Sequence, residues 1–253
     1  MLNKILFNSE IDWGWIVLKN PDWLAPETFS SLLVMGIIII LSFVTFFIFR
    51  KADPLKSKGG FTQIIAMFIE KIDSMQLDLM GPKYNGFGGY VAGLALYIGL
   101  SFLIGLTGLP APLTYYGNAL SIALCTFIML HANAVRANGW KYFQRYIDPI
   151  PVLLPINLLS MWAPLLSLSL RIFGNALSGF VIMGIIYFAL GNVSALIFGG
   201  FIKSGLSNIF IAPFITPVLH AYFDLFSGFI QTLIFIMLTM IFISQENPDP
   251  SLE

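Results

Sequence analysis

Charge is what this 253-residue chain has least of. Lysine, arginine, aspartate and glutamate together make up 10% of it, where a soluble globular domain carries about 25%. The 13 basic residues balance the 13 acidic ones, so the net charge is zero and nothing in it would draw nucleic acid. There is one cysteine, Cys125, which excludes an internal disulfide and a cysteine-cluster metal site. There is no phosphate loop, no nucleotide fingerprint and no metal-ligand cluster. No cofactor or metal is therefore expected. The stretch from Met1 to Glu27 mixes acids and tryptophans without the basic-then-apolar order of a secretory leader, so no cleavable signal is expected there.

What remains is apolar. Hydrophobic residues make up 57% of the chain and aromatic ones 15%, and they fall in runs long enough to cross a bilayer core, which takes about 20 residues as a helix. The expected fold is an all-α membrane protein, one domain over residues 1–253, with about five membrane helices and one amphipathic surface helix. The first span is expected over 28–49, preceded by Trp13, Trp15 and Trp23 as an interfacial belt and closed by Arg50-Lys51, with Lys56 and Lys58 beyond. Residues 61–80 read differently. Ile64, Ile65, Phe68, Ile69, Ile72, Met75 and Leu79 recur at helical spacing opposite Glu70, Lys71, Asp73 and Asp78, the pattern of a helix lying on the inner surface. Gly81-Pro82 breaks it.

Further spans are expected over 90–109, ended by Pro110-Ala111-Pro112, and over 117–135, which runs into Arg136, Lys141 and Arg145. Asp148-Pro149-Ile150-Pro151 is a rigid turn. The last apolar regions, 152–190 and 211–244, exceed one perpendicular crossing and are expected to be long tilted helices joined by a glycine-rich outer loop from Gly191 to Ser207. Pro155 and Pro164 are candidate kinks in the first of them, and Pro213 and Pro217 stand in the first turns of the second. Basic clusters after the first and third spans mark the inner side. The acidic balance of Glu10, Asp12, Asp22 and Glu27 over Lys4 and Lys19 puts the N-terminus outside, and the tail with Glu246, Asp249 and Glu253 ends inside.

From Pro149 to Ser244 only three side chains are formally charged: Arg171, Lys203 and Asp224. A guanidinium cannot shed its proton to escape a low dielectric, and at a helix centre in a bilayer it costs about 2.5–3.5 kcal/mol on insertion scales. Arg171 shares a helix face with Ser160, Ser167, Asn175 and Ser178, while Gly174 and Gly179 beside that face admit a close neighbour. On the last helix His220, Asp224, Ser227 and Gln231 form a second polar stripe. Two readings stand. In one, the serines and asparagine tie helices together while Arg171 and Asp224 form a static ion pair. In the other, Arg171 faces a mobile acid or an ion route, and Asp224 exchanges protons in a wet cleft.

Ser-Leu-Arg-Ile-Phe-Gly-Asn at Ser169 to Asn175, followed by Ala176-Leu177-Ser178-Gly179, resembles the signature of subunit a of F-type ATP synthases. Gln231-Thr232-Leu233-Ile234-Phe235 resembles that family's C-terminal Gln-Ala-x-x-Phe pattern, and Asn157-Leu158-Leu159 and Asn118-Ala119-Leu120-Ser121 are shorter shared blocks. The resemblance covers roughly Gly59 to Ser244.

It implies a non-catalytic stator of the membrane sector whose last two helices form a hairpin around a rotating ring of c subunits, each with a carboxyl group near mid-membrane. Two aqueous half-channels would meet the ring on either side of Arg171, the family's essential arginine. Asn175 would line the site, Gln231 would contact the arginine, and Asp224 would be the proton relay of the outer half-channel, aided by His220. Ser160, Ser167 and ordered water would serve the inner one, with Ser178 beside the route. The implied partners are the c-ring, peripheral-stalk subunit b, the other synthase subunits and membrane lipid. Phe180 departs from the pattern, because bacterial members often have a glutamate nine residues after the arginine. The wording Phe-Gly-Asn-Ala-Leu-Ser-Gly favours a bacterial plasma membrane over the mitochondrial inner membrane.

A secondary transporter with an Arg171–Asp224 gate is the rival expectation, although transporters usually carry internal repeats and broken helices and no repeat is visible. A scaffold with a static ion pair is the third, and gives no reason for the Asn175 and Gln231 matches.

Overall fold

Every element follows from one constraint: in hydrocarbon the backbone must satisfy its own hydrogen bonds, and a helix does so within one segment. A computed structural model describes residues 26–51, 60–84, 86–139, 142, 152, 154–198 and 210–246. Among these, 94% are helical and no strand occurs. The helices are α1 (Pro26–Lys51), α2 (Gly60–Met80), α3 (Gly88–Leu103), α4 (Tyr116–Asn138), α5 (Leu154–Phe198), α6 (Ala212–His220) and α7 (Gly228–Gln245). A π-helical segment, Ala221–Ser227, joins α6 to α7. Five stretches are long and apolar enough to cross a membrane: Glu27–Arg50, Gly88–Thr107, Tyr116–Asn138, Leu154–Ile197 and Ala212–Gln245. The chain is an all-α, multi-pass membrane protein. Trp13, Trp15, Trp23, Lys56, Lys58, Lys141, Arg145, the turn at 148–151, Lys203 and the tail from 247 lie outside the described residues.

α7 is the centre of the bundle. It buries Phe235, Ile236, Met240 and Ile243 against Val91 and Ile98 of α3, Ala119 and Ala123 of α4, and Leu168 and Ile172 of α5. Water offers little drive between helices in lipid, so close approach depends on small residues. Gly228 shows this: a Cβ there would fall 2.7 Å from the Cβ and Cγ of Phe102, so only glycine lets α7 meet α3 at that level. One end of the bundle is also tied by polar bonds. The carbonyl of Ile243 belongs to the last turn of α7, where no helical donor follows. It accepts instead from Nδ2 of Asn133 at 3.1 Å and from the Tyr84 hydroxyl at 3.4 Å. Beside it Asn138 Nδ2 donates to the Glu246 carbonyl at 3.2 Å. Gly139, at φ +57°, ends α4 in a conformation that a Cβ disfavours.

α1 stands at the periphery. It packs through Ser30, Ser31 and Val34, with Ser31 Oγ 2.6 Å from the Tyr97 hydroxyl, while Ile39, Ile40, Phe43, Phe46 and Phe47 are exposed. A wholly apolar exposed helix is the signature of contact with lipid.

Three expectations need correction. The glycine-rich loop does not begin at Gly191, because α5 continues to Phe198. After Gly191 the next seven residues, Asn192 to Phe198, hold no helix breaker, and Ser194 is buried. The last helix runs unbroken over Ala212–Gln245 but is not regular, because it widens into the π segment. The surface helix α2 packs against α3 and α7 along Ile72, Gln76 and Met80, whereas Ile64 and Ile69 of the expected apolar face are exposed. The contact line therefore includes a glutamine that an apolar stripe would omit.

Candidate functional site

α5 has 45 residues, about 68 Å at about 1.5 Å per residue, more than twice the roughly 30 Å hydrocarbon core. A helix this long must tilt strongly or project beyond the core. Arg171 is its only charged residue and sits well inside it. The guanidinium is half-buried, and its Nη2 donates to Ser167 Oγ one turn back at 3.3 Å. Among the described residues Arg171 makes no ion pair. Ser160, Ser167, Leu170, Gly174 and Ser178 flank it as an exposed face, and Leu168 and Ile172 anchor the opposite face in the core. The polar stripe expected from spacing is present; Ser167 and Ser178 are exposed, while Asn175 turns to the last helix.

Asp224 is placed otherwise. It lies in the π segment, a wide turn of the kind often found at functional sites. Its Oδ2 is 2.5 Å from His220 Nδ1, and the Tyr187 hydroxyl is 2.9 Å from His220 Nε2. With the carboxylate accepting from Nδ1, a neutral imidazole leaves Nε2 to accept from Tyr187. Three groups thus form one hydrogen-bonded line from α5 to the π segment. Gly105, just beyond α3, gives the carboxylate room: a Cβ there would lie 3.4 Å from Asp224 Oδ1. Asp224 also edges a cavity of about 390 Å³ between α2, α3 and α7, lined largely by Phe68, Ile72, Phe102, Phe229 and Ile236.

The two sites are joined by the wide turn. Ser227 Oγ donates to Asn175 Oδ1 at 2.9 Å, and Asn175 Nδ2 donates to the Ser227 carbonyl at 3.4 Å. One turn from there, Gly179 lies against the Phe223 side chain, which a Cβ would meet at 3.6 Å. Ser178 Oγ bonds only its own helix, at the Asn175 carbonyl. Gln231 is 5% exposed, and its Nε2 has no hydrogen-bond partner. A buried amide donor left unpaired costs about 1–3 kcal/mol, so this is an unsatisfied position in the chain alone.

Of the residues singled out in sequence, the structure brings together His220 with Asp224, and Asn175 with Ser227. It does not pair Arg171 with Asp224, nor does Arg171 bond Gln231. The static Arg171–Asp224 pair of the rival expectations does not form. Tyr187 and Gly105 were missed. Tyr187 has one weak signal, a phenol inside an apolar run whose hydroxyl needs a partner. Gly105 has none, since only the fold reveals what approaches it.

The half-buried arginine thus sits on an overlong helix that Asn175 and Ser227 bond to a widened last helix carrying its own acid. The sequence model of the ATP synthase A chain matches residues 29–244. The chain is 34% identical over 226 residues to ATP synthase subunit a of Mycoplasma genitalium, covering 81% of this chain and 76% of that protein. It is 31% identical over 242 residues to ATP synthase subunit a of Mycoplasma pneumoniae, covering 89% and 79%. A sodium-ion-specific ATP synthase subunit a of Propionigenium modestum is 28% identical over 204 residues, covering 74% and 62%. The chain belongs to the ATP synthase A chain family.

Proposed function

We propose that this chain is the stator subunit a of the membrane sector of a bacterial ATP synthase, passing protons between two half-channels and the carboxyl groups of a rotating c-ring. The observation that carries the reading is Arg171, a permanent charge with no ion-pair partner among the described residues, held beside an exposed face inside a family whose members are ATP synthase subunits. A ring carboxylate arriving there would be held ionised, since an opposite charge nearby lowers a carboxylate pKa by about 1–3 units. Protons then cannot pass directly from one half-channel to the other, and transfer requires rotation. Lysine would be a weaker barrier because it can deprotonate when desolvated. Moving one charge through the membrane potential supplies about 2.3 kcal/mol per 100 mV, so several transfers per ATP are needed.

Asp224 serves the outer half-channel, with His220 and Tyr187 as its hydrogen-bonded line to the surface. A chain of O–H and N–H groups supports the proton as coupling ion. Gln231, buried with a free donor, and Asn175, bonded to Ser227, frame the ring-facing site. The other partners are subunit b, the remaining synthase subunits and lipid. The N-terminus lies outside and the C-terminus inside the plasma membrane.

Everted membrane vesicles containing the assembled complex test the reading. Arg171→Ala is expected to abolish ATP-driven acidification; normal coupled pumping by that variant would sink the assignment. Proton transport by the purified chain alone would favour the transporter instead.

A further inference from the structure

The cavity of about 390 Å³ between α2, α3 and α7 is not sealed inside the bundle, because Leu103, Leu225 and Phe229 on its walls are exposed. We propose that it holds one acyl chain of an anionic phospholipid from the Arg136 side of the bilayer, with the lipid headgroup on Lys71. The inference goes beyond the stator reading and does not depend on it.

The chemistry of the walls excludes water as the occupant. Apart from Lys71, Asp224 and Thr232, every side chain lining the cavity is apolar or absent. Thr232 Oγ1 already donates to the Gly228 carbonyl of its own helix at 2.8 Å, and the Asp224 carboxylate is engaged by His220. A buried water needs two to four polar partners, and an apolar cavity stays dry. An empty one forfeits the dispersion contacts of its lining, so hydrocarbon is the filler that fits.

The shape suits a single chain. Asp73, two residues after Lys71, lies against Gly88 at the start of α3, whereas Asp224 lies against Gly105 just past the end of α3. The two charges on the wall therefore stand toward opposite ends of that helix. Between them the α3 lining runs from Ala95 to Leu103, about 12 Å at about 1.5 Å per residue. One leaflet contributes half of the roughly 30 Å hydrocarbon core, so the groove matches the depth of one chain. Gly99 makes its floor: only Thr232 Oγ1, at 4.0 Å, approaches the place of a Cβ, so a long side chain there would project into the cavity.

Charge selects the headgroup. α3 begins at the end of the bundle where Asn133 and Tyr84 hold Ile243, which is the Arg136 side. Lys71 is exposed and makes no ion pair among the described residues. Its apolar stem lines the cavity while its ammonium is free to reach headgroup level. Glu70, Asp73 and Asp78 of the same helix do not line it. A basic group beside a cleft between membrane helices on the inner side is a site for an anionic headgroup. With the chain in place, Asp224 is covered by hydrocarbon from the α2 side, and His220 is its polar approach.

The test uses the whole complex in nanodiscs of phosphatidylcholine doped with phosphatidylglycerol that carries a photoreactive diazirine on its acyl chain. Irradiation is expected to label residues 99–103 and 225–233. The same diazirine on phosphatidylcholine is expected to label them about fivefold less, the preference one lysine gives an anionic surface. Lys71→Gln, an exposed change, should bring phosphatidylglycerol down to that level. Gly99→Phe should cut labelling of 225–233 to background while the exposed face of α1 labels as before. Unlabelled segments in the wild-type complex overturn the chain site, as does undiminished labelling in assembled Gly99→Phe. Labelling of the isolated chain that is lost in the complex also overturns it, because another subunit then covers the groove. Equal labelling by the two lipids, or an unchanged preference in Lys71→Gln, overturns the headgroup assignment, and that arm decides even if Gly99→Phe does not assemble. Labelling requires no pumping, so coupled pumping in Arg171→Ala would remove the stator reading and leave this site as it was.

Discussion

Arg171 and Asp224 are the two charges that α5 and the last helix carry through their described lengths, and the bundle treats them in opposite ways. Asp224 is enclosed by its own chain, with His220 against one oxygen, Tyr187 beyond it and Gly105 making room. Arg171 has a single serine of its own helix, at 3.3 Å, on a face turned outward. An internal carboxylate with a built hydrogen-bond line can give and take a proton without any partner. Among the described residues no acid pairs with Arg171, and under the proposed function a ring carboxylate would complete the arrangement. Under the proposed function the difference would separate a relay from a docking charge.

The largest expected effect lies on the arginine side. Arg171→Ala should reduce ATP-driven pumping to background, measured as fluorescence quenching in everted vesicles, because α5 carries no second cation. Full pumping would break the comparison outright. On the other side, Asp224→Asn should slow proton flux by about 100-fold, the low end of what a positioned acid–base group supplies, without opening a leak. Asp224→Glu should keep much of the rate. Equal flux in wild type and Asp224→Asn would remove Asp224 from the relay.

Gly228→Ala sharpens the contrast, since it forces Phe102 and the adjoining π segment apart on the Asp224 side only. Overpacking of this kind costs about 1–3 kcal/mol. It should show as lower thermal stability of the detergent-solubilised complex, while residual pumping still depends on Arg171. A stability equal to wild type would mean that the α3–α7 contact yields easily. The smallest effect is expected for Tyr187→Phe. It removes one hydrogen bond worth about 0.5–1.5 kcal/mol and should slow proton flux by about two- to tenfold. A loss as deep as that of Asp224→Asn would make the phenol an obligatory carrier.

Much of this was legible in the residue order. Runs of apolar residues located the spans, because crossing a bilayer takes a minimum length of helix. The stripe of Ser160, Ser167, Arg171, Asn175 and Ser178 followed from helical period alone, since α5 stays regular across it. The same rule failed on the last helix. Asp224 and Gln231 share a face only if every turn holds 3.6 residues, and the π segment breaks that count between them. Gln231 is consequently buried in the core while Asp224 turns to His220 and Gly105. Tyr187 and His220 lie 33 residues apart, beyond any local period.

By itself the sequence determined that the chain is helical and lies in a membrane, and it singled out one arginine as a candidate, because hydrocarbon penalises unpaired backbone and charge at every position in the same way. It did not determine which charge would be paired. That was decided by the packing of α7 against α3 and α5, where Gly228 lets α7 meet Phe102 of α3 closely. Pairing depends on distances of a few ångströms between helices, and such distances exist only once the bundle has closed.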